Sequence, residues 1–160
     1  MATSVSQYAA CRFVEDSILE LRTKAGREPN FNGFVVTKDK LLVIDELARN
    51  LQLYRLRDSK LISTLHRPES IPTSVCLISK TEVAVCMWNS TILILSFKYI
   101  DDLKLVKTLD LMTGFNVCQS VAKLNSNDNL VVSGFKRDDD MLYWCVVNLT
   151  DGLVESTHKV

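Results

Sequence analysis

The side chains able to do chemistry are few and dispersed: five cysteines (Cys11, Cys76, Cys86, Cys118 and Cys145), two histidines (His66 and His158) and a short acidic run, Asp138-Asp139-Asp140, behind Arg137. A tetrahedral zinc site draws its Cys and His ligands from closely spaced pairs. No Cys-x-x-Cys pair occurs, and neither histidine lies near such a pair. A calcium loop needs oxygen ligands at regular spacing, usually around a glycine turn. The acidic run has neither and is expected as a solvated hairpin tip. Nucleophilic catalysis needs a serine or cysteine within reach of a base, and no pattern in the chain supplies that pair. Four of the cysteines sit inside apolar runs, such as Ser74-Val75-Cys76-Leu77-Ile78 and Val83-Ala84-Val85-Cys86. Free cysteine in that setting behaves as a small core hydrophobe. The expectation is reduced core thiols, no metal, no cofactor and no catalytic residue.

Charge and composition narrow the remaining classes. Among 160 residues, 19 Lys and Arg balance 19 Asp and Glu, for a formal net charge of zero. Residues 1–70 carry 11 basic and 9 acidic side chains, and residues 71–160 carry 8 and 10. Neither half has the basic excess with which proteins track phosphates. With 47% apolar and 24% charged residues, the chain has globular rather than disordered usage. No apolar run approaches the ~18–20 residues that span a bilayer, and no secretory pattern is visible. Reduced thiols then lead to an expected cytoplasmic location.

The elements that must position any site are short strands. Runs of four to eight Val-, Ile-, Leu- and aromatic-rich residues alternate with polar turns, the pattern of half-buried β-structure. The turns carry Asp, Asn, Gly and Ser, as in Lys38-Asp39-Lys40, Trp88-Asn89-Ser90 and Thr150-Asp151-Gly152, which supply the unusual backbone angles that tight turns need. The strands group in fours. First strands at Gly33, Ser74 and Ser120 start 41 and 46 residues apart, and each is followed by a turn and a second strand. A four-stranded period of about 40–45 residues is the blade of a β-propeller. The expected architecture is all-β: a single partial propeller over 1–160, with a leading strand and crossover in 1–31, then blades over 32–67, 72–111 and 115–160. The leading strand is expected at Arg12 to Thr23.

The letters resemble a known repeat. Thr37-Lys38-Asp39-Lys40-Leu41-Leu42-Val43-Ile44-Asp45, then Asn50-Leu51-Gln52-Leu53-Tyr54, then Pro72 to Val85 resemble blades of the NHL-type, TolB-like six-bladed propellers at the C-terminus of invertebrate tripartite-motif proteins. The resemblance spans about residues 12–135. Two positions depart from it: Leu47-Ala48-Arg49 replaces a short polar turn, and Met87-Trp88-Asn89 stands where proline and acidic residues are usual. RING, B-box and coiled-coil segments are absent from the sequence, so no ubiquitin-ligase activity carries over. The resemblance implies a platform that binds protein, or sometimes RNA, through loops on one face.

Three blades do not close a ring that takes about four to eight. Both flanks are therefore expected to expose apolar stacking surface, completed by missing blades of a longer propeller, completed by a second copy (two sets of three giving six), or left open in a marginally stable chain. The leading expectation is a non-catalytic module that binds protein partners through loop tips and blade edges, with Arg49, Trp88, Asn89, Arg137 and Asp138 as partner-binding residues. Trp88 stands open between two roles, a partner anchor or packing against the next blade. Trp144, inside an apolar run, is expected in the core. An RNA-binding face built from Arg49, Arg55, Arg57 and Arg67 is the alternative. An enzyme would need a pocket joining His66 to two carboxylates, and the expected innermost strands carry neither histidine nor carboxylate. No membrane partner is expected.

Overall fold

The computed structural model describes residues 30–67, 69–98, 102–111, 115–124, 128–136 and 139–160, with the backbone alone at residues 139 and 140. The expected leading strand, Arg12 to Thr23, lies outside the described residues, as do Cys11, Arg137 and Asp138.

The described chain is all-β. Strands β1 (Phe31–Val36), β2 (Lys40–Asp45), β3 (Asn50–Arg55) and β4 (Lys60–His66) form one four-stranded sheet in chain order. Strands β5 (Pro72–Leu77), β6 (Glu82–Met87), β7 (Thr91–Ser96) and β8 (Lys104–Asp110) form the second. Strands β9 (Phe115–Lys123), β10 (Asn129–Lys136), β11 (Asp139–Asn148) and β12 (Val154–Lys159) form the third. Every neighbouring pair is antiparallel. The first strands β1, β5 and β9 lie side by side, so the three sheets radiate from them as blades. This is a partial β-propeller.

The core lies between blades because each blade is a sheet whose faces are covered by the next. Leu42, Ile44, Leu51 and Leu53 of blade one pack against Val83, Val85, Met87, Leu93 and Leu95 of blade two. The other face of blade two, with Ala84, Cys86, Ile92 and Ile94, packs against Cys118, Val121, Leu130, Val132, Cys145 and Val147 of blade three. Sheets covered on both faces read as continuous apolar runs, which is why β6 and β7 lack a polar alternate in their centres. Lysines clasp the seams: Lys40 Nζ donates to the Phe97 carbonyl at 3.0 Å, and Lys123 Nζ to the Ile78 carbonyl at 2.6 Å. At the inner edge, the Thr73 hydroxyl lies 2.8 Å from the Cys118 carbonyl and 3.3 Å from that of Cys86.

The two outer flanks differ from what the sequence suggested. The flank of blade one is buried, including Leu41, Val43 and Tyr54 together with Asp45, Asn50 and Gln52. Its polar atoms satisfy one another: Gln52 Nε2 donates to Asp45 Oδ2 at 3.4 Å and Asn50 Oδ1 at 3.2 Å, and the Tyr54 hydroxyl donates to Gln52 Oε1. Burial, then the Asp45 charge, raises the Tyr54 phenol above its ordinary range and keeps it a donor. Among the described residues, the outer face of blade three is the more open one: Val131, Ser133 and Phe135 of β10 are half-buried. Trp144, expected in the core, lies there half-buried, its ring stacked on His158 at 4.1 Å. Its strand position is odd with respect to Cys145 and Val147, which face blade two, so alternation turns it outward.

One glycine is fixed by close approach. A Cβ at Gly134 would lie 2.1 Å from the Val117 carbonyl oxygen, where the β9–β10 register shifts.

Candidate functional site

The antiparallel strand order sends alternate turns to opposite rims of the blades. One rim carries the β2–β3, β6–β7 and β10–β11 turns and the connections between blades. The other carries the β1–β2, β3–β4 and equivalent turns.

On the first rim, two turns share one construction. In blade one, the Arg49 amide donates to the Glu46 carbonyl at 3.1 Å, and Arg49 adopts a positive φ of 48°. In blade two, the Ser90 amide donates to the Met87 carbonyl at 3.1 Å, and Ser90 adopts a φ of 64°. A four-residue turn closed by a left-handed residue is a common hairpin connection. It makes Leu47 equivalent to Trp88, and Ala48 equivalent to Asn89. The first corner points into solvent in both: Leu47 is 72% exposed and Trp88 51% exposed. Side chains hold each turn. Asp45 Oδ1 accepts from the Ala48 amide at 3.1 Å, and Asn89 Oδ1 accepts from the Thr91 hydroxyl at 2.8 Å.

The connection from β4 to β5 ties the two turns together. The Arg67 amide donates to the Arg49 carbonyl at 2.9 Å, and the Trp88 amide to the Ile71 carbonyl at 2.8 Å. The Asn89 amide donates to Ser70 Oγ at 3.1 Å. Arg67 pairs with Glu69 at 3.3 Å, while among the described residues its buried Nε has no hydrogen-bond partner. Phe31, opposite Asp45 in the β1–β2 register, adds an exposed ring at the same end. The result is a rim with apolar tips on a hydrogen-bonded backbone.

Arg49, Trp88 and Asn89 thus share one rim of adjacent blades. Arg137 and Asp138, at the tip between β10 and β11, lie outside the described residues. Trp88 is half-exposed on its turn rather than enclosed in a blade interface. Leu47 was legible only as a departure from the repeat; its signal was an apolar residue at the first corner of a tight turn. The arginines of the RNA alternative are not brought together. Arg49 and Arg67 flank the first rim, whereas Arg55 and Arg57 sit at the β3–β4 turn on the other. There Arg55 pairs with Asp58 at 3.1 Å, and its hydrogen bond lowers the Asp58 carboxyl below its usual range.

The other rim holds a cleft of about 520 Å³ between blades two and three. Ile78, Ile94, Val106 and Leu149 line it with Lys107 and Lys123. Lys107 Nζ donates to the Leu149 carbonyl and to that of Thr150 at 3.2 Å, so both lysines act as clasps between backbones.

The thiols belong to the core. Cys86, Cys118 and Cys145 are buried and Cys76 half-buried, all four of them free. A hydrogen bond with the Cys118 thiol, then burial, raises Cys86 well above the ordinary thiol range. Burial pushes Cys76 up to about 11 and Cys145 up to about 12. Raised thiols are poor nucleophiles at neutral pH. Among the described residues, no group of three or more His, Cys, Asp or Glu could hold a metal ion, and no helix is long and apolar enough to cross a membrane.

Among solved structures, the chain is similar to the β-propeller domain of Cps50 (Swd1) from Myceliophteria thermophila, with a TM-score of 0.61 and 17% identity, covering 88% of this chain and 48% of that one. It is also similar to the WD40 domain of coronin from Toxoplasma gondii, with a TM-score of 0.63 and 7% identity, covering 78% of this chain and 32% of that one. The chain therefore spans less than half the length of either propeller, and at these identities the likeness is one of fold. No protein-family model and no curated protein matches the sequence.

Proposed function

We propose that this chain is a non-catalytic interaction module that binds protein partners through the rim carrying the β2–β3 and β6–β7 turns. The observation that carries the proposal is the pair of like-built turns, each presenting a large apolar side chain on a backbone held by hydrogen bonds. Exposed aromatic anchors on a rigid frame are the usual centres of protein recognition. Leu47 and Trp88 are the apolar anchors, and Arg49 and Asn89 supply polar contacts beside them. Arg137 and Asp138, between β10 and β11 in the sequence and outside the described residues, are proposed as further partner contacts. The acting unit is one partial propeller over the whole chain, with blades over 32–67, 72–111 and 115–160. Protein is favoured over RNA because the net charge is zero and the unit-one arginines divide between two rims. Four free cysteines support a reducing compartment, the cytoplasm. The NHL-type, tripartite-motif-like subtype rests on Thr37–Asp45 and Asn50–Tyr54, while the similar solved structures include a WD40 domain.

The test is affinity capture with the native chain and with a Leu47→Ser/Trp88→Ala double variant. Proteins captured through this rim are expected to lose about 100-fold or more in affinity, the loss that accompanies removal of a hot spot. Undiminished capture of every partner by the double variant removes the rim as the site.

A further inference from the structure

We propose that the cleft between blades two and three, on the rim opposite the proposed partner site, binds an extended peptide segment of a protein partner whose side chains facing the cleft read acidic, basic, acidic at positions i, i+2 and i+4.

The lining is ordered along the cleft, because each blade runs from its innermost strand outward. At the inner end, Lys123 closes β9, and its ammonium donates to the carbonyl of Ile78, just past β5, at 2.6 Å. One strand further out, Glu82 opens β6 and Asp128 precedes β10. At the outer end, Lys107 of β8 reaches across to the carbonyls of Leu149 and Thr150, which follow β11. Ile94, Val106 and Leu149 give the outer half its apolar surface. The charges therefore run positive, negative, positive from the inner end outward. Blade two contributes Glu82 and Lys107, and blade three Lys123 and Asp128, so the pattern exists only where the two blades meet.

The ammonium groups are held but not neutralised. A lysine offers three N–H donors. Backbone carbonyls take two from Lys107 and one from Lys123, and among the described residues no carboxylate pairs with either. Lys107 is half-buried, where an added anion is attracted more strongly than in open water. Glu82 accepts from the Ser79 hydroxyl at 3.3 Å, and Asp128 is exposed. Among the described residues, neither carboxylate has a cationic partner.

Spacing and charge together select the occupant. The two lysine clasps lie two to three strand spacings apart, about 10–14 Å. An extended chain advances about 3.3 Å per residue and turns alternate side chains to one face, so residues i and i+4 span about 13 Å. Acidic residues at i and i+4 then meet Lys123 and Lys107. A basic residue at i+2 meets Glu82 and Asp128, with its methylene stem along the apolar surface. The volume of about 520 Å³ is that of a ligand cleft. A nucleic-acid strand, anionic at every residue, would set phosphates against Glu82 and Asp128, which disfavours it.

The experiment is an NMR titration of the full, isotope-labelled chain with the capped peptide Ala-Glu-Ala-Arg-Ala-Glu-Ala. Saturable amide shifts are expected at Ser79, Glu82 and Thr150, with a Kd below about 1 mM. The charge-reversed peptide Ala-Arg-Ala-Glu-Ala-Arg-Ala is expected to bind at least about 10-fold more weakly, a comparison that needs no variant of the protein. Lys107→Met, which keeps the stem and removes the charge, is expected to weaken binding about 10-fold. Glu82→Gln combined with Asp128→Asn leaves both lysine clasps in place. It is expected to weaken the arginine peptide at least about threefold, and not to weaken its Arg-to-Ala counterpart. Trp88→Ala, on the other rim, is expected to leave the affinity unchanged, which separates this cleft from the proposed partner site. No saturable shift up to about 10 mM peptide, equal affinity for the charge-reversed peptide, an unselective response of the Glu82→Gln/Asp128→Asn variant to the two peptides, or tighter binding of an oligouridylate in the cleft overturns the proposal.

Discussion

The central strands of blade two and blade three draw on the same apolar residues but arrange them differently, and the arrangement records what each sheet touches. Val83 to Met87 in β6 and Ile92 to Leu95 in β7 are buried without interruption. In β10 and β11, buried and half-buried residues alternate. Blade two is a layer inside a stack, and blade three is its end. Blade one differs from both: the two faces of β2 and β3 are buried, and the face away from blade two carries a bonded polar set, Asp45, Asn50, Gln52 and Tyr54. An end of half-buried aliphatic and aromatic side chains still has surface to remove from water.

The sharpest break of this comparison is a leucine truncation on each side of it. Leu95→Ala, at a site buried between blades one and two, is expected to destabilise by about 2–5 kcal/mol in urea melts, through lost transfer energy and a residual cavity. Leu142→Ala, on the half-buried outer face of blade three, is expected to lose about 1 kcal/mol. Equal losses would mean that blade three is not an end.

Next in size is the sealed flank. Gln52→Ala leaves the Tyr54 hydroxyl, Asp45 Oδ2 and Asn50 Oδ1 without their shared partner, for an expected loss of about 1–3 kcal/mol. Ser133→Ala on the open flank is expected to change stability by less than about 0.5 kcal/mol. Thermal melts of the two variants side by side distinguish a bonded flank from an open one.

A smaller effect is read in pH. Cys76 and Cys145 are raised to about 11 and about 12 when folded, above the ordinary thiol value of about 8.5. Between those values the unfolded chain has released protons that the folded chain retains, so stability falls as pH rises. The stabilising contribution is whole below about pH 8 and declines through the alkaline range toward 11 and 12. Urea midpoints at pH 7.5 and 10 test this, and Cys145→Val is expected to flatten the decline. The smallest effect belongs to the rim: Trp88→Ala, half-exposed on its turn, is expected to leave stability within about 0.5 kcal/mol while weakening partner capture.

Much of this architecture was legible before the fold. Strand length, turn residues and the spacing of Gly33, Ser74 and Ser120 marked four-stranded repeats, and the observed strands β1, β5 and β9 contain those residues. The candidate rim was half legible. Trp88, Asn89 and Arg49 stand out by residue type beside turns, but that the two turns share a hydrogen-bonding plan, and so present Leu47 and Trp88 alike, depends on the left-handed angles of Arg49 and Ser90. The placing of Trp144 failed for a specific reason. An apolar run such as Met141 to Val147 looks the same whether one face or two are covered, and only the neighbouring sheet decides which alternate residues are core. The expectation of an exposed apolar flank on blade one failed too: Asp45, Asn50, Gln52 and Tyr54 become neighbours on one face only when β2 and β3 pair, and that face is buried.

The sequence by itself determined the local terms: extended backbone from β-branched and aromatic runs, turns from Asp, Asn, Ser and Gly, a neutral charge, and a repeat that stacks. These depend on residues a few positions apart, where sterics and hydrogen bonding are set by the chain itself. Tertiary structure alone decided which face of each sheet is covered, which polar residues find one another, and which turns meet on one rim. Those outcomes depend on side chains from strands tens of residues apart arriving at the same interface, and a periodic apolar strand carries the same letters whichever neighbour it meets.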